Sequence, residues 1–378
     1  MAPPPPRPRV ALVDGGSFVL PYDYELARLL GGQGIDVDFH GSLSRYNAPF
    51  LAAIAGLSGA RVFAHAVSRT VAPRWRGIVA YSRMWFGVLR ARRRYSAVNL
   101  QFSAWWPLEL PFLLALRRRL VYTVHNAVPH GFRGRCHAPT ARIAGLARTL
   151  VFVSQSSHDD FIERYGERFR AKSRIVPHPP LPMVAGMGPT PYRPLPAMPE
   201  ALVYWSTVKP YKGVELMVEV ARSGLARQRQ LGLEVWGRWD PGLAVLRAET
   251  QALGVRVEDR YLESDEMLML FARPLVFILP YVEASQSGAL YALLAHGCYF
   301  ICADVGDLGS FMRRFGLEAL LLRERSGAAV LACVDALAAA PEHWARAFAA
   351  AQLESSAAAE RAVAQVYASS LPPCPTLT

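Results

Sequence analysis

The stretch LVFILPYVEASQSGALYALLAHGCYFICAD, residues 275–304, decides the fold. Its apolar run LVFILPY breaks into VEASQSG and resumes as ALYALLAHG, which has helical character and ends on Gly297, before CYFICAD begins a second apolar run. Strand, helix and strand in that order make the βαβ unit of a parallel sheet. The break places Ser285, Ser287, Gly288 and Ala289 at the helix start, at the carboxyl edge of the sheet. Free backbone N–H groups and the positive end of the helix dipole meet there and suit an anion. Gly288 permits close approach and the two serines add donors, although Ser287 would serve equally as an ordinary N-cap.

The same alternation extends backwards. ALVYWST (201–207) reads as a strand, VKPYKG as a loop, VELMVEVARS as a helix, LEVWG (233–237) as a strand and SDEMLMLFAR as a helix. Lys209 and Lys212 then project from a carboxyl edge of the same sheet, and two ammonium groups across a crevice from a helix N-terminus suit a diphosphate. Nearer the start, VALVD (10–14) runs into the turn Gly15-Gly16-Ser17 and the helix YDYELARLLGGQG. IDVDF (35–39), AVNLQF (97–102), LVYTVH (120–125) and LVFVS (150–154) follow as strands. Nine prolines between residues 177 and 199 exclude regular structure and mark a boundary. The expected fold class is therefore α/β, with two Rossmann-like domains facing each other across a cleft. The domains are a first at 10–178 and a second at 201–355, with a proline-rich leader at 1–9 expected to be disordered, a linker at 179–200 and a C-terminal helix and tail at 356–378 that could cross back. In such open sheets ligands bind outside the carboxyl ends of the strands.

Composition narrows the partners. With 52% hydrophobic and 19% charged residues, the chain is a packed globular protein. Its five scattered cysteines form no CxxC pair, which argues against a disulfide framework and fits a reducing compartment. No metal-ligand spacing occurs among the histidines, so neither a metal nor a cofactor is expected, and Asp36-Val37-Asp38 reads as structural. The leader lacks the apolar region of a signal peptide, and no run is long enough to span a bilayer, which points to the cytoplasm. From Phe39 to Leu108 there is no acidic residue but ten arginines, a large share of the +12 formal charge. Arg76, Arg83 and Arg90 fall on one helical face opposite Ile78, Tyr81, Trp85, Val88 and Leu89. A basic face of this kind suits anionic lipid on the inner membrane surface. Nucleic acid is not expected as a partner, because no RNA- or DNA-reading motif accompanies the charge.

STVKPYKGVELMVEVA resembles the donor-loop segment of family-4 type glycosyltransferases of the two-domain B fold (GT-B). ILPYVEASQSGALYALLAHGCYFICADVGDL is similar to their donor-binding strand, helix and strand, and VYTVHNAVPH and VFVSQSSHDDFIERYG to segments of their first domain. The pattern is most similar to bacterial exopolysaccharide enzymes such as the xanthan-assembly β-mannosyltransferases of family 94. The resemblance implies that Lys209, Lys212, Ser285, Ser287, Gly288 and Ala289 hold the donor diphosphate, that Glu283 contacts the donor sugar, and that Gly15 and Gly16 admit the reacting sugar. His125, with Asn126 beside it, would line the cleft and act by proton transfer or hydrogen bonding. Asp14 and Asp23 lie near the first strand's end, and which group is the base stays open. Ala292 replaces the family's second glutamate and Thr207 its usual arginine. The implied reaction moves a sugar, mannose from GDP-mannose first, from a nucleotide-sugar donor to a polyprenyl-diphosphate-linked oligosaccharide. A nucleotide-sugar epimerase of the same fold and an inactive binding subunit are the rivals.

Overall fold

The computed structural model describes residues 7–44, 47–67, 74–128, 135–196, 198–284 and 286–368. The chain divides into two compact units, Met1–Pro179 with Ala357–Thr378, and Pro180–Ser356.

The first unit holds strands β1 (Arg9–Asp14), β2 (Asp36–Ser42), β3 (Ala60–His65), β4 (Ala97–Phe102), β5 (Leu120–Val124), β6 (Thr149–Phe152) and β7 (Ser173–Ile175). Its helices are α1 (Leu20–Gly32), α2 (Ala48–Ala55), α3 (Arg74–Ala91), α4 (Trp106–Leu116), α5 (Ala138–Leu146) and α6 (Gln155–Tyr165). The strands pair in the order β3-β2-β1-β4-β5-β6-β7, every pair parallel. β4 and β5 are buried almost throughout, as strands covered by helices on both faces must be. β2 carries the Asp-Val-Asp motif, and its role is structural: Asp38 accepts from Arg9 of β1 and Arg61 of β3, each at 2.7 Å. This ion-paired edge also draws Arg9 into β1, so the sheet begins within the segment expected to be a free leader.

The second unit holds β8 (Ala201–Trp205), β9 (Gly232–Trp236), β10 (Arg256–Glu258), β11 (Val276–Leu279), β12 (Tyr299–Ala303) and β13 (Leu321–Leu322). Between them run α7 (Glu215–Ser223), α8 (Leu225–Gln228), α9 (Ala244–Ala252), α10 (Ser264–Phe271), α11 (Gly288–Ala295) and α12 (Gly306–Arg314), followed by α13 (Gly327–Ala339). The sheet order is β10-β9-β8-β11-β12-β13, again parallel. The proline-rich segment is held against this unit: Leu181 N–H donates to Tyr291 O at 2.9 Å and Thr190 N–H to Ala295 O at 2.7 Å. Tyr192 stacks on Phe348 at 5.2 Å. Prolines keep this segment out of the sheet, yet its remaining amides and rings still anchor it. The last helix, α14 (Pro341–Ala368), starts in the second unit and ends in the first.

Gly15 is buried beneath α3, so its small size serves packing before any ligand. A Cβ there would lie 2.3 Å from Tyr81 Cε2, and the Tyr81 hydroxyl is tied to Glu109 and cannot swing aside. Gly15→Ala should therefore cost about 1–3 kcal/mol, the usual cost of overpacking, seen as a lower urea midpoint with an unchanged slope.

Candidate active site

In each unit the strand order reverses beside the first strand, between β1 and β4 and between β8 and β11. Loops leaving those strands diverge at their carboxyl ends and leave a crevice. In the second unit that crevice collects most of the expected donor residues. The turn Pro210–Lys212 follows β8, and Gly213 after it has φ +67°. A Cβ on Gly213 would meet Pro280 O at 2.1 Å and the Arg325 guanidinium at 2.5 Å. Glycine is thus required both by conformation and by space.

Lys212 turns back over the end of β8. Its ammonium donates to Ser206 Oγ and to Thr207 Oγ1, the latter at 3.3 Å, and lies 5.4 Å from the centroid of the Tyr281 ring. The Tyr281 hydroxyl is hydrogen-bonded to Ser287 and to Ser206. Ser287 caps α11 by accepting from Leu290 N–H at 3.3 Å. Lys212 and the α11 N-terminus, more than seventy residues apart in sequence, are therefore joined through one tyrosine and one serine. Burial, then the charge of Lys209, pulls the Lys212 pKa down to about 8. A dehydrated ammonium with a second cation nearby gains from an arriving anion. Gly288 is exposed, and a Cβ there would meet no atom within 4 Å; Ala289 is half-buried. Glu283 is exposed on the loop before α11, and Ser285 lies outside the described residues. Ala292 is fully buried inside the unit.

Ser206, Tyr281 and Arg325 were not singled out from sequence. Arg325 donates to Pro280 O and to Tyr281 O, the latter at 3.2 Å, and so secures the end of β11 behind Gly213. The tyrosine of the LPY motif was the available signal; nothing local marked Ser206 or Arg325.

In the first unit, His125 follows β5 and is only 3% exposed. Its Nε2 lies 2.9 Å from Gln101 Oε1, its ring stacks on Phe102 at 4.6 Å, and it meets the edge of Tyr22 at 5.2 Å. Because the Gln101 carbonyl can only accept, Nε2 carries the proton. Burial, with His178 nearby, pushes the His125 pKa down to about 3. The imidazole is therefore neutral at pH 7, which favours the hydrogen-bonding role over proton transfer. Asn126, half-buried, lines a cavity of about 370 Å3 together with His125.

Asp14 turns inward. Its Oδ2 accepts from Phe18 N–H at 2.6 Å and Val19 N–H at 3.1 Å, closing the turn into α1. Behind it lies Asp23, fully buried and hydrogen-bonded to Asp14, with both pKa values raised chiefly by burial. Two adjacent buried carboxyls cannot both ionise, so they share one proton. Gly16 is half-buried, whereas Gly15 is covered by Tyr81 and offers no surface to a ligand. Asp14 thus organises the turn that was expected to admit the sugar.

Residues 22–179 match the family model described as Glycosyltransferase Family 4. No curated protein matches the chain. Among solved structures, HepE of Anabaena in complex with UDP and glucose is similar with a TM-score of 0.64 at 15% identity, over 96% of this chain and 99% of that one. The sucrose-phosphate synthase of Thermosynechococcus elongatus has a TM-score of 0.61 at 16% identity, over 96% and 98%. WaaG, a glycosyltransferase of lipopolysaccharide biosynthesis, has 0.57 at 13%, over 95% and 99%. These likenesses establish the GT-B fold.

The carboxyl pair gives a pH prediction. In the unfolded chain Asp23 ionises near its ordinary 3.8, while in the folded chain it holds its proton well above that value. Stability is therefore lost as pH rises above about 4. Asp23→Asn keeps a donor for Asp14 and removes this loss. The variant should melt near the wild-type temperature at pH 4 and above it at pH 7, by about 2–4 °C per kcal/mol regained.

Proposed function

We propose that this chain, which carries a Glycosyltransferase Family 4 domain in its first unit, transfers a sugar from a nucleoside-diphosphate donor to a polyprenyl-diphosphate-linked oligosaccharide at an anionic membrane surface. The observation that carries the donor part is the cluster of Lys212, Ser206, Tyr281 and Ser287 at the β8/β11 crevice. Sugar transfer breaks the bond from the anomeric carbon to the diphosphate, and negative charge grows on the departing oxygens. A preorganised ammonium and a helix N-terminus placed at that charge stabilise its departure more than the ground state. Lys212 supplies the first, the amides of Gly288 and Ala289 the second, and Lys209 adds a flanking charge. Glu283, on the loop before α11, takes the sugar hydroxyls. In the first unit, neutral His125 serves as a hydrogen-bonding group toward the reacting sugar.

Two donors are put forward. GDP-mannose follows from the exopolysaccharide resemblance; a UDP-hexose is supported by the fold shared with HepE, whose structures hold UDP and UDP-glucose.

The membrane part rests on α3. Its outward face sets Trp75 and Phe86, each 62% exposed, and Val79 beside Arg76, Arg83 and Arg90. None of these arginines has an ion-pair partner among the described residues. Exposed aromatic rings next to unpaired guanidinium groups are what an interfacial helix presents to anionic lipid. No helix among the described residues is long and apolar enough to cross a membrane.

Calorimetry with UDP and GDP, followed by a panel of their sugars, tests the donor reading. Lys212→Ala should weaken the preferred diphosphate by about 1.5–3 kcal/mol. Wild-type affinity should also fall as pH rises through about 8, where Lys212 loses its proton, and the variant should lose that dependence. Equal affinity in the two proteins would remove Lys212 from the site; an epimerised donor sugar without transfer would favour the epimerase. Replacing Arg76, Arg83 and Arg90 with Gln should release the protein from phosphatidylglycerol vesicles at about 0.1 M salt, given roughly 1 kcal/mol for each basic group. Unchanged co-sedimentation would refute the membrane docking.

A further inference from the structure

β1 and β4 run in register from Val10 opposite Ala97 to Val13 opposite Leu100, and then Asp14 faces Phe102. The skipped residue is Gln101. A residue inserted into one strand only is a β-bulge, and bulges re-aim a side chain out of the sheet's alternation. Here Gln101 is among the residues that line the first unit's cavity of about 370 Å3. Gln101 is 1% exposed, and its carbonyl is used by His125. Its amide nitrogen is buried with no hydrogen-bond partner among the described residues. Leaving such a donor unpaired costs about 1–3 kcal/mol, which a ligand oxygen would return.

The remaining walls narrow the ligand. Phe102, Trp105 and Trp106 provide aromatic surface, and Asn126 and Thr140 provide polar groups. The tryptophan rim is held in place: Glu109, fully buried, accepts from Ala104 N–H at 2.8 Å, from Trp105 N–H at 2.9 Å and from the hydroxyls of Ser103 and Tyr81. Among the described residues no Lys, Arg, Asp or Glu lines the cavity. A nucleotide or phosphate would lack a counter-charge there, and an alkyl chain would leave Gln101 and Asn126 unsatisfied. A neutral pyranose has C–H faces for the indoles and hydroxyls for the amides, and the volume lies within the ~300–1,000 Å3 range of ligand pockets.

We propose that this cavity binds one neutral pyranose ring of the acceptor, with Trp105 as stacking platform and the Gln101 amide as hydroxyl-reading donor. The assignment rests on the transferase reading for the word acceptor, and the test separates the two. The full-length protein is titrated with methyl β-D-glucopyranoside and methyl α-D-mannopyranoside, read by tryptophan fluorescence and saturation-transfer NMR. UDP and GDP binding is measured by calorimetry on the same preparations. Wild type should bind at least one glycoside saturably. Trp105→Ala, on an exposed rim, and Gln101→Met, which conserves volume, should each weaken it about 10-fold. Both variants should hold the nucleotide diphosphate as wild type does. Glycoside affinity equal in wild type and variants overturns the assignment. So does an absence of glycoside binding in a wild type that binds nucleotide, or displacement of the glycoside by n-octanol. Glycoside binding lost in the variants, in a protein that binds no nucleotide, keeps the sugar cavity and discards the donor reading.

Discussion

Parallel strands cannot be joined by a tight turn, so every neighbouring pair in these sheets needs a crossover, and the crossover has one preferred hand. That constraint fixes where loops can open. Both sheets build outward from their first strand in one direction and then restart on its other side, between β1 and β4 and between β8 and β11. Only there do consecutive loops leave in opposite directions. The Lys212 cluster sits at the second of these points and the Asp14 turn, with the Gln101 bulge beside it, at the first.

The chain uses positive charge in two opposite ways. Lys212 is dehydrated, stacked on Tyr281 and hydrogen-bonded to serine and threonine, with no carboxylate ion-paired to it among the described residues. Its unmet charge is local and directional, as a binding group's must be. The arginines of α3 are hydrated and spread along a face where Trp75 and Phe86 are also exposed. Their field is additive and imprecise, which suits a fluid surface better than a single ligand. Elsewhere some arginines are paired, as is Arg273, between α10 and β11, with Glu234 of β9 and Glu200 before β8.

Much of this was legible because buried parallel strands read as apolar runs. AVNLQF became β4 without a shift of boundary, and the strands of LVYTVH, LVFILPY and CYFICAD lie within their expected runs. β3, ARVFAH, was missed because an edge strand half in water alternates weakly and carries an arginine and a histidine. β10 and β13, three and two residues long, are too short to show a period. At the candidate site, Lys212 and Ser287 were singled out from loop spacing and helix-start chemistry. Ser206, Tyr281 and Arg325 matter through contacts between distant segments, which local pattern does not encode. Gln101 was hidden for another reason: a bulge changes where a residue points without changing which residues surround it in sequence. His125 was singled out too, but its burial under Tyr22 and Phe102, which sets its neutral form, depends on packing.

The path of α14 bears on how the protein is made. Val363 and Tyr367 near its end are buried, and the Tyr367 hydroxyl accepts from Asn99 in the middle of β4. The first unit is thus the first to be synthesised and the last to be completed. While residues 180–356 leave the ribosome, its sheet must wait with Asn99 and the surrounding apolar wall unfilled, the exposed state that invites misassembly in multidomain chains. A stop codon ten residues before Tyr367 would spare the second unit's sequence entirely and still leave the first unit unfinished. Damage at the carboxyl terminus would therefore be felt in the amino-terminal half.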